Sequence, residues 1–275
     1  MLYTISYDSS KLFSSHHILI MGIVVSIISS FASNLWNHSN DVNEDIAQGK
    51  KTVLTQNYVS YKTTVVLSIA LYIISIISVL YLSILLKKPI YYFFLPWSII
   101  TWWYSDSIFL RKIFGFRLKT HYFGEIITYG IACPSYTLSI WLIYSDLNYQ
   151  GIAVALAFSF LGISGVLLKD IKDISGDRKA GLRTLGVIFT PSKLLQASSI
   201  FLILYYFTIL DLISLKILKL GMLLVIIPFI WFIKDTFFYF HKKCWELEVK
   251  DIKSIQIMMK STYISVILLG IGAFI

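Results

Sequence analysis

The chain has 275 residues, of which 57% are hydrophobic and only 14% are charged, and its mean hydropathy is +0.74. Soluble globular proteins are usually about 25% charged, so the composition argues against a soluble fold. It predicts an all-α, polytopic membrane bundle, because helices satisfy their own backbone hydrogen bonds in lipid. The net charge of +9 is scattered over short loops between apolar runs. We therefore expect a lipid bilayer and not a nucleic acid as the partner of this chain.

Apolar runs long enough to cross a membrane recur along the chain, and each predicts a transmembrane helix. About eight spans are predicted, at residues 17–35, 62–86, 89–105, 121–144, 150–168, 192–212, 217–234 and 258–275. The span at 89–105 is short and rich in Trp and Tyr, which is typical of the membrane interface. No Pro/Gly/Ser-rich linker divides the chain, so we expect one transmembrane domain over residues 1–275.

Positive charge is concentrated on one side of the predicted membrane. The segments 36–61, 106–120, 169–191 and 235–257, with the adjoining helix ends, hold 19 of the 24 Lys and Arg residues. The positive-inside rule places these segments in the cytoplasm and both chain termini outside. We therefore expect a multi-pass protein of the cell membrane.

The two cysteines, Cys133 and Cys244, are too few for a disulfide framework. Cys244 follows His241 by three residues, but two potential ligands make a poor metal site. We expect structural roles for both cysteines.

The first polar cluster is "NLWNHSNDVNEDIAQGKKT" (34–52), at the end of the first span. Asn37, Asp41 and Asp45 are four residues apart, so on a helix they share one face. A register that starts at Asn40 would reach Glu44 instead, and we prefer the register from Asn37. Acidic residues near membrane depth are candidates for function.

The second polar cluster is "LLKDIKDISGDRKAGLRTL" (167–185), at the end of the fifth span. Asp170, Asp173 and Asp177 again share one helical face. The pattern of an apolar span followed by an acidic segment thus occurs at 17–57 and at 150–190, which predicts two facing halves of one site.

Two carboxylate stripes on one side of the membrane favour a site for a hard divalent cation such as Mg²⁺, with substrate phosphate as a further ligand. The predicted metal ligands are Asn37, Asp41, Asp45, Asp170, Asp173 and Asp177. Basic residues near the stripes suit the remaining diphosphate oxygens. The candidates are Lys50, Arg111, Lys112, Lys172, Arg178, Lys179 and Arg183.

Both clusters resemble motifs of the UbiA-type intramembrane prenyltransferases. "NHSNDVNED" is similar to their Asn-x-x-x-Asp-x-x-x-Asp motif, and "KDIKDISGDRKAGLRTL" to their second Asp-rich motif with its Gly-x-Arg-Thr-Leu tail. The resemblance implies a helical bundle around a central cavity that opens to the cytoplasm. It also implies Mg²⁺-dependent transfer of an isoprenyl group from a polyprenyl diphosphate, with the five aspartates as catalytic residues.

A further segment, "YSDSIFLRKIFGFRLKTHYFGEIITYG" (104–130), resembles the menaquinone branch, which prenylates dihydroxynaphthoate. Gly124, Glu125 and Gly130 carry this likeness, and it implies substrate-binding roles for Tyr104 and Glu125. The segment after the first motif lacks the Arg-Pro of the lipid-ether and chlorophyll branches. Family members usually have nine spans, and only residues 1–16 precede the first motif-bearing helix here, so the first family helix is expected to be missing.

The leading interpretation is therefore prenyl transfer to a lipophilic aromatic acceptor, a quinone precursor. Alternatives with the same ionisation step are transfer to a glycerol-phosphate ether lipid, transfer to a carotenoid, and cyclisation by a terpene synthase. An ion-coupled membrane transporter is a different class, for which we would expect acids at mid-span and helices broken by Gly or Pro.

Overall fold

A computed structural model describes residues 1–6, 15–47, 49–248 and 251–275. Lys11 and Lys250, two cations used in the topology prediction, lie outside the described residues. The α-helices in chain order are α1 (Leu2–Ser6), α2 (Ser15–Asn40), α3 (Val42–Ala47), α4 (Tyr61–Leu86), α5 (Tyr91–Ser105), α6 (Leu110–Phe114), α7 (Tyr122–Tyr144), α8 (Tyr149–Lys179), α9 (Leu185–Ile188), α10 (Pro191–Ser214), α11 (Ile226–Phe232), α12 (Phe238–Lys242) and α13 (Ile252–Gly272). Short 3₁₀ segments lie at Leu118–Thr120 and Leu220–Val225, and a π-helical turn at Ile233–Phe237 joins α11 to α12.

Seven helical segments of the described chain are long and apolar enough to cross a membrane. They are α2, α4, α7, α8, α10, the continuous segment Leu220–Lys242, and α13. The predicted span at 89–105 forms α5, which has 15 residues. At 1.5 Å per residue this helix is about 22 Å long, against a hydrocarbon core of about 30 Å. The predicted helical membrane bundle is confirmed, with α5 as its short member.

Polar caps determine where several spans begin. The Ser60 hydroxyl accepts a hydrogen bond from the Thr63 N–H at the start of α4. The Asn148 side chain accepts one from the Gly151 N–H, 2.8 Å away, at the start of α8. Each cap satisfies a backbone donor that the first helical turn leaves free. These residues stand where the apolar runs begin.

The buried side chains form two large apolar clusters. One joins α2, α4, α5 and α7, with Trp36 and Trp97 among its members. The other joins α8, α10, the segment Leu220–Lys242 and α13, with Tyr205 and Phe232 in its centre. Trp141 of α7 also packs in the second cluster, and this helix therefore connects the two parts. Helices α2 and α8, whose ends carry the two acidic motifs, belong to different clusters.

Candidate active site

A small polar cavity of about 120 Å³ lies at the end of the bundle where α2, α5 and α8 finish and α7 begins. Both acidic motifs line it. Its lining residues are Asn37, His38, Asp41, Glu44, Asp45, Lys50, Tyr104, Lys119, Glu125, Lys169, Asp170, Asp173, Asp177, Leu182 and Thr184. All six side chains predicted as metal ligands are in this set.

The first motif keeps its helical geometry through a helix boundary. Helix α2 ends at Asn40 and α3 begins at Val42, but the backbone bonds continue in the helical pattern. The Asp41 N–H donates to the Asn37 carbonyl at 3.1 Å, and the Asp45 N–H donates to the Asp41 carbonyl at 2.8 Å. The spacing of four residues therefore brings all three side chains to the cavity, as a stripe on one helical face requires.

The second motif lies on the last turns of α8, which extends to Lys179, well past the predicted apolar span. The Thr184 hydroxyl donates a hydrogen bond to Asp177 Oδ2 at 2.8 Å. Asp170 is buried, and its Oδ2 atom has no hydrogen-bond partner among the described residues. The close approach of α9 at this point requires a glycine, since a Cβ on Gly186 would lie 2.5 Å from the Asp170 carbonyl oxygen.

Lys50 connects the two motifs. Its Nζ atom lies 3.6 Å from Asp45 Oδ1 and 3.5 Å from Asp173 Oδ1. The Lys50 side chain is 43% exposed, so these ion pairs are screened and each contributes little to stability, about 0–1 kcal/mol. The lysine can therefore exchange its carboxylates for a ligand at small cost.

A second group of cations pairs with the first motif. Arg117 and Lys119 are both buried. Lys119 Nζ forms ion pairs with Asp41 and Glu44, and Arg117 bonds Glu44 Oε1 at 2.5 Å. Burial would raise the pKa of Glu44, but these two cations outweigh it and lower that pKa. Burial raises the pKa of Asp41, because Lys119 and Arg117 offset only part of it.

Sequence reasoning missed Lys119, Arg117, Glu44 and Lys169. Arg117 and Lys119 stand in the segment 106–120 and Lys169 directly precedes the second stripe, but their positive charges were interpreted as topology signals. Glu44 belongs to the register of the first motif that was not preferred. The backbone pairing of His121 with Arg183 places this segment beside the tail of the second motif. That contact between distant parts of the chain carries no local sequence signal.

The structure places six of the predicted diphosphate ligands outside the cavity. They are Arg111, Lys112, Lys172, Arg178, Lys179 and Arg183, and all six are exposed. On α8 the reason is helical geometry, because Lys172 is about 200° around the helix from Asp170. Arg183 contacts the segment before α7 through its backbone, because its N–H donates a hydrogen bond to the Thr120 carbonyl at 2.9 Å.

Glu125 and Tyr104 both line the cavity. Glu125 is 2% exposed, and its Oε2 atom accepts a hydrogen bond from the Leu185 N–H at 2.8 Å. The Tyr104 ring packs edge-on against Tyr129 with centroids 5.9 Å apart. Glu125 thus fastens the start of α7 to the tail of the second motif.

The asparagines distinguish the two possible registers of the first motif. Asn37 faces the cavity, where the Ser105 hydroxyl donates to its side-chain oxygen. Asn40 faces away and anchors the segment after α5, because its Oδ1 accepts from the Ser107 N–H at 2.9 Å. The arrangement matches the register from Asn37, although Glu44 of the other register also reaches the cavity.

The charge balance of the cavity is strongly acidic. Seven carboxylic acids line it, against three lysines. Oxygen donors of this kind, together with the unpartnered Asp170 Oδ2, are the ligands that Mg²⁺ prefers. In the described part of the chain, no three His, Cys, Asp or Glu side chains already converge as a metal site. The donor set therefore fits Mg²⁺ in its chemistry but is not preassembled.

Comparisons with known proteins identify the family of the chain. Residues 3–250 match the UbiA prenyltransferase family. The chain is 34% identical over 262 residues to a protein of Archaeoglobus fulgidus described as uncharacterized, and the match covers 91% of this chain and 86% of that protein. No solved structure matches. With nearly its whole length matched and seven helices of spanning length, the chain belongs to the UbiA prenyltransferase family and is a multi-pass membrane enzyme that transfers prenyl groups.

Proposed function

We propose that this protein transfers an isoprenyl group from a polyprenyl diphosphate to a lipophilic aromatic acceptor, a quinone precursor, in a Mg²⁺-dependent reaction that releases pyrophosphate. One observation carries the proposal: two acidic motifs from distant parts of the chain line one cavity with an excess of negative charge. An anionic diphosphate would be repelled from such a cavity unless cations accompany it. The cavity therefore suits a diphosphate that binds together with a divalent metal.

The residues that would hold Mg²⁺ are Asn37, Asp41, Asp45, Asp170, Asp173 and Asp177. When bound, Mg²⁺ would neutralise the charge that develops on the leaving diphosphate. Lys50, Lys119 and Lys169 also line the cavity, and their ammonium groups would donate hydrogen bonds to the remaining diphosphate oxygens. In this arrangement, the carboxylates that are now paired with lysines would bind the metal. The lysines would bind the diphosphate of the substrate.

The reaction would break the bond between the prenyl C1 carbon and the diphosphate oxygen, and the electron pair leaves with the diphosphate. The allylic cation so formed needs dry surroundings and aromatic faces, which Tyr104 beside the cavity would provide. A carbon of the electron-rich acceptor ring then donates an electron pair to C1, and the ring loses a proton. No base from the protein is required if the acceptor is a phenolate.

The choice of an aromatic acceptor depends on the likeness of 104–130 to the menaquinone branch. The buried Glu125 of that segment lies at the cavity wall, where it would contact the acceptor or position the motif tail. The acids stand at helix ends, not at mid-span, which favours an enzyme over an ion-coupled transporter. We also propose that residues 1–275 form one prenyltransferase domain, whose cavity opens to the cytoplasm.

The proposal is tested by two substitutions, Asp41→Asn and Asp170→Asn, in protein reconstituted with Mg²⁺ and a prenyl diphosphate. We expect each to reduce pyrophosphate release by about a hundredfold or more, the loss typical of removing one electrostatic contact to the reacting groups. Asp211→Asn is the matched control, because Asp211 is exposed near the C-terminal end of α10 and does not line the cavity. Undiminished release in both cavity variants would exclude the proposed metal role.

The acceptor is identified by mass spectrometry of lipid extracts after the purified protein meets a panel of donors and acceptors. A prenylated dihydroxynaphthoate supports the proposal. A prenylated glycerol-phosphate lipid, a lengthened carotenoid or a cyclised terpene without acceptor would each replace the aromatic acceptor while keeping the ionisation step.

A further inference from the structure

A groove of about 950 Å³ lies between the segment Leu220–Lys242 and α13, at the end of the bundle that holds the charged cavity. Its walls include Lys234, Lys253 and Lys260, and we call it the basic groove. Lys234 lies in the π-helical turn Ile233–Phe237, a rare helical form that is frequent at functional sites. None of the residues described in its walls lines the charged cavity. The proposed function therefore leaves the basic groove without a role.

The basic groove carries an excess of positive charge. Its three lysines face one acid, Asp235, among the lining residues that the structure describes. Within the described chain, these lysines form no ion pair. The neighbouring acid Asp251 is already neutralised, because its carboxylate accepts hydrogen bonds from Lys243 Nζ at 2.7 Å and from the Tyr239 hydroxyl at 2.6 Å. Like charges held together repel one another, so the groove is suited to an anion.

The lysines follow the groove from the end of the bundle toward the bilayer. The Thr236 hydroxyl donates a hydrogen bond to the Ser254 carbonyl at 3.0 Å, so these two positions stand level on consecutive, antiparallel spans. Lys253 is one residue outside this level, and Lys260 is six residues, about 9 Å, inside it. Lys234 stands between them. Lysines near the end of a span keep their ammonium groups at the membrane interface, which is the depth of the phospholipid head groups.

An apolar surface continues the basic groove toward the middle of the bilayer. Trp231 lines the groove, and tryptophan is enriched at membrane interfaces. Ile227 precedes Trp231 by four residues, and Ile264 and Ile267 follow Lys260 by four and seven, so each continues a helical face of the groove. All three isoleucines are exposed. A molecule with an anionic head and apolar chains has the same two characters in the same order.

We propose that the basic groove binds an anionic phospholipid, with the lysines on the head-group phosphate and the acyl chains along the exposed isoleucines. The ammonium groups would donate charge-assisted hydrogen bonds to the phosphate oxygens. Basic pockets between membrane helices are recurrent sites for such head groups. The lipid would bridge the segment Leu220–Lys242 and α13. This site goes beyond the proposed function, since neither the prenyl donor nor the acceptor occupies it.

The test is the affinity of the purified protein for dioleoyl phosphatidylglycerol, measured by native mass spectrometry in a neutral detergent. Phosphatidylcholine with the same acyl chains is the reference lipid. The variant combines Lys234→Gln, Lys253→Gln and Lys260→Gln, which removes the charges and keeps polar side chains. Each lysine close to an anionic lipid surface contributes about fivefold in affinity. We therefore expect the Kd for phosphatidylglycerol to rise about tenfold or more, and the Kd for phosphatidylcholine to stay unchanged.

Two further variants separate the groove from net charge and from folding. The matched control combines Lys51→Gln, Lys62→Gln and Lys242→Gln, three exposed lysines that do not line the groove. It should keep the wild-type Kd for phosphatidylglycerol. Replacing the three groove lysines by arginine keeps the charge and should also keep the binding. Loss of binding in the arginine variant, or an equal loss in the matched control, would contradict a charged site in the groove.

The remaining outcomes decide between a lipid and a free anion. Equal affinity of the wild-type protein for the two lipids, or an unchanged phosphatidylglycerol Kd in the glutamine variant, would overturn the proposal. Displacement of the lipid by millimolar inorganic phosphate would assign the lysines to a free phosphate and would also overturn it. None of these measurements depends on pyrophosphate release, so failure of this site and failure of the proposed function are distinguishable.

Discussion

Two buried cations, Arg117 and Lys119, pair with two acids, Asp41 and Glu44, at the wall of the charged cavity. Burying charged groups costs several kcal/mol for each ion, and the ion pairs return that free energy only partly. A fold selected for stability alone would tend to fill such a space with apolar side chains. The group is therefore better explained by ligand binding than by stability.

The charge of Glu44 should contribute to the acid side of the pH profile through its effect on the pKa of Asp41. Burial raises the pKa of Asp41, and the adjacent Glu44 carboxylate contributes to the rise. As the pH falls through that raised pKa, Asp41 becomes protonated and loses its affinity for a cation. In Glu44→Gln the like charge is gone, so the Asp41 pKa falls and the activity should persist to lower pH. Pyrophosphate release measured from about pH 4 to pH 8, around the ordinary carboxyl range, gives the shift.

Glu246→Gln is the control for this pH profile, because Glu246 is exposed and does not line the cavity. It should leave the acid limb where it is in the wild type. An acid limb that stays in place or moves to higher pH in Glu44→Gln would contradict the electrostatic argument.

The acids of the site were predictable from sequence, whereas most of its cations were not. Asp41, Asp45 and the three aspartates of α8 stand in helical periods at the ends of apolar runs, and all reach the cavity. Lysines and arginines carry a second signal, because the positive-inside rule places them in the same segments. Spacing alone cannot separate Lys119, which is buried in the site, from the exposed Lys112. Only the fold of the segment after α5 distinguishes them.

At the scale of the helices, α8 shows why hydropathy misplaces a boundary. The apolar span predicted at 150–168 is correct as a span, but the helix continues to Lys179. A helix can extend beyond the membrane when its polar residues remain good helix formers and one face still has partners. The extra turns are the ones that carry Asp170, Asp173 and Asp177 into the cavity.

The packing of α7 depends on Gly124, which the sequence analysis named only for its likeness to the menaquinone branch. A Cβ on Gly124 would overlap the Leu118 carbonyl oxygen, whereas a Cβ on Gly130, on the same helix, would meet no atom within 4 Å. Gly124 therefore allows the segment before α7 to lie close to the helix. Lys119 and Glu125 flank this contact.

Gly124→Ala and Gly130→Ala should have opposite effects on stability. Replacing a helical glycine by alanine favours the helix by about 0.5–1 kcal/mol, which is the whole effect expected at Gly130. At Gly124, overpacking costs about 1–3 kcal/mol and reverses the sign. We expect a lower thermal midpoint and weaker pyrophosphate release in Gly124→Ala, with neither loss in Gly130→Ala. Tryptophan fluorescence during heating in detergent measures the midpoint, and equal midpoints for the two variants would refute the packing argument.

At the scale of the whole molecule, the chain alternates across the bilayer so that both motifs reach one end of the bundle. Helices α2, α5 and α8 and the segment Leu220–Lys242 end there, helices α4, α7, α10 and α13 begin there, and four connecting segments lie between them in the sequence. These segments and the adjoining helix ends hold most of the basic residues. The order of the spans therefore determines both the assembly of the site and the side that it faces.

Cys244 reports the side of the membrane that the site faces. It is exposed just after α12, at the same end of the bundle as the cavity, and Cys133 lies inside α7. With Cys133 replaced by alanine, a membrane-impermeant maleimide should label Cys244 in permeabilised cells and leave it unlabelled in intact ones, because basic segments remain in the cytoplasm. Leu147→Cys, in a background that also lacks Cys244, provides the opposite control, since Leu147 is 48% exposed between α7 and α8 at the other end. It should be labelled in intact cells. Labelling of Cys244 without permeabilisation, with Leu147→Cys protected, would invert the topology and place the charged cavity outside the cytoplasm.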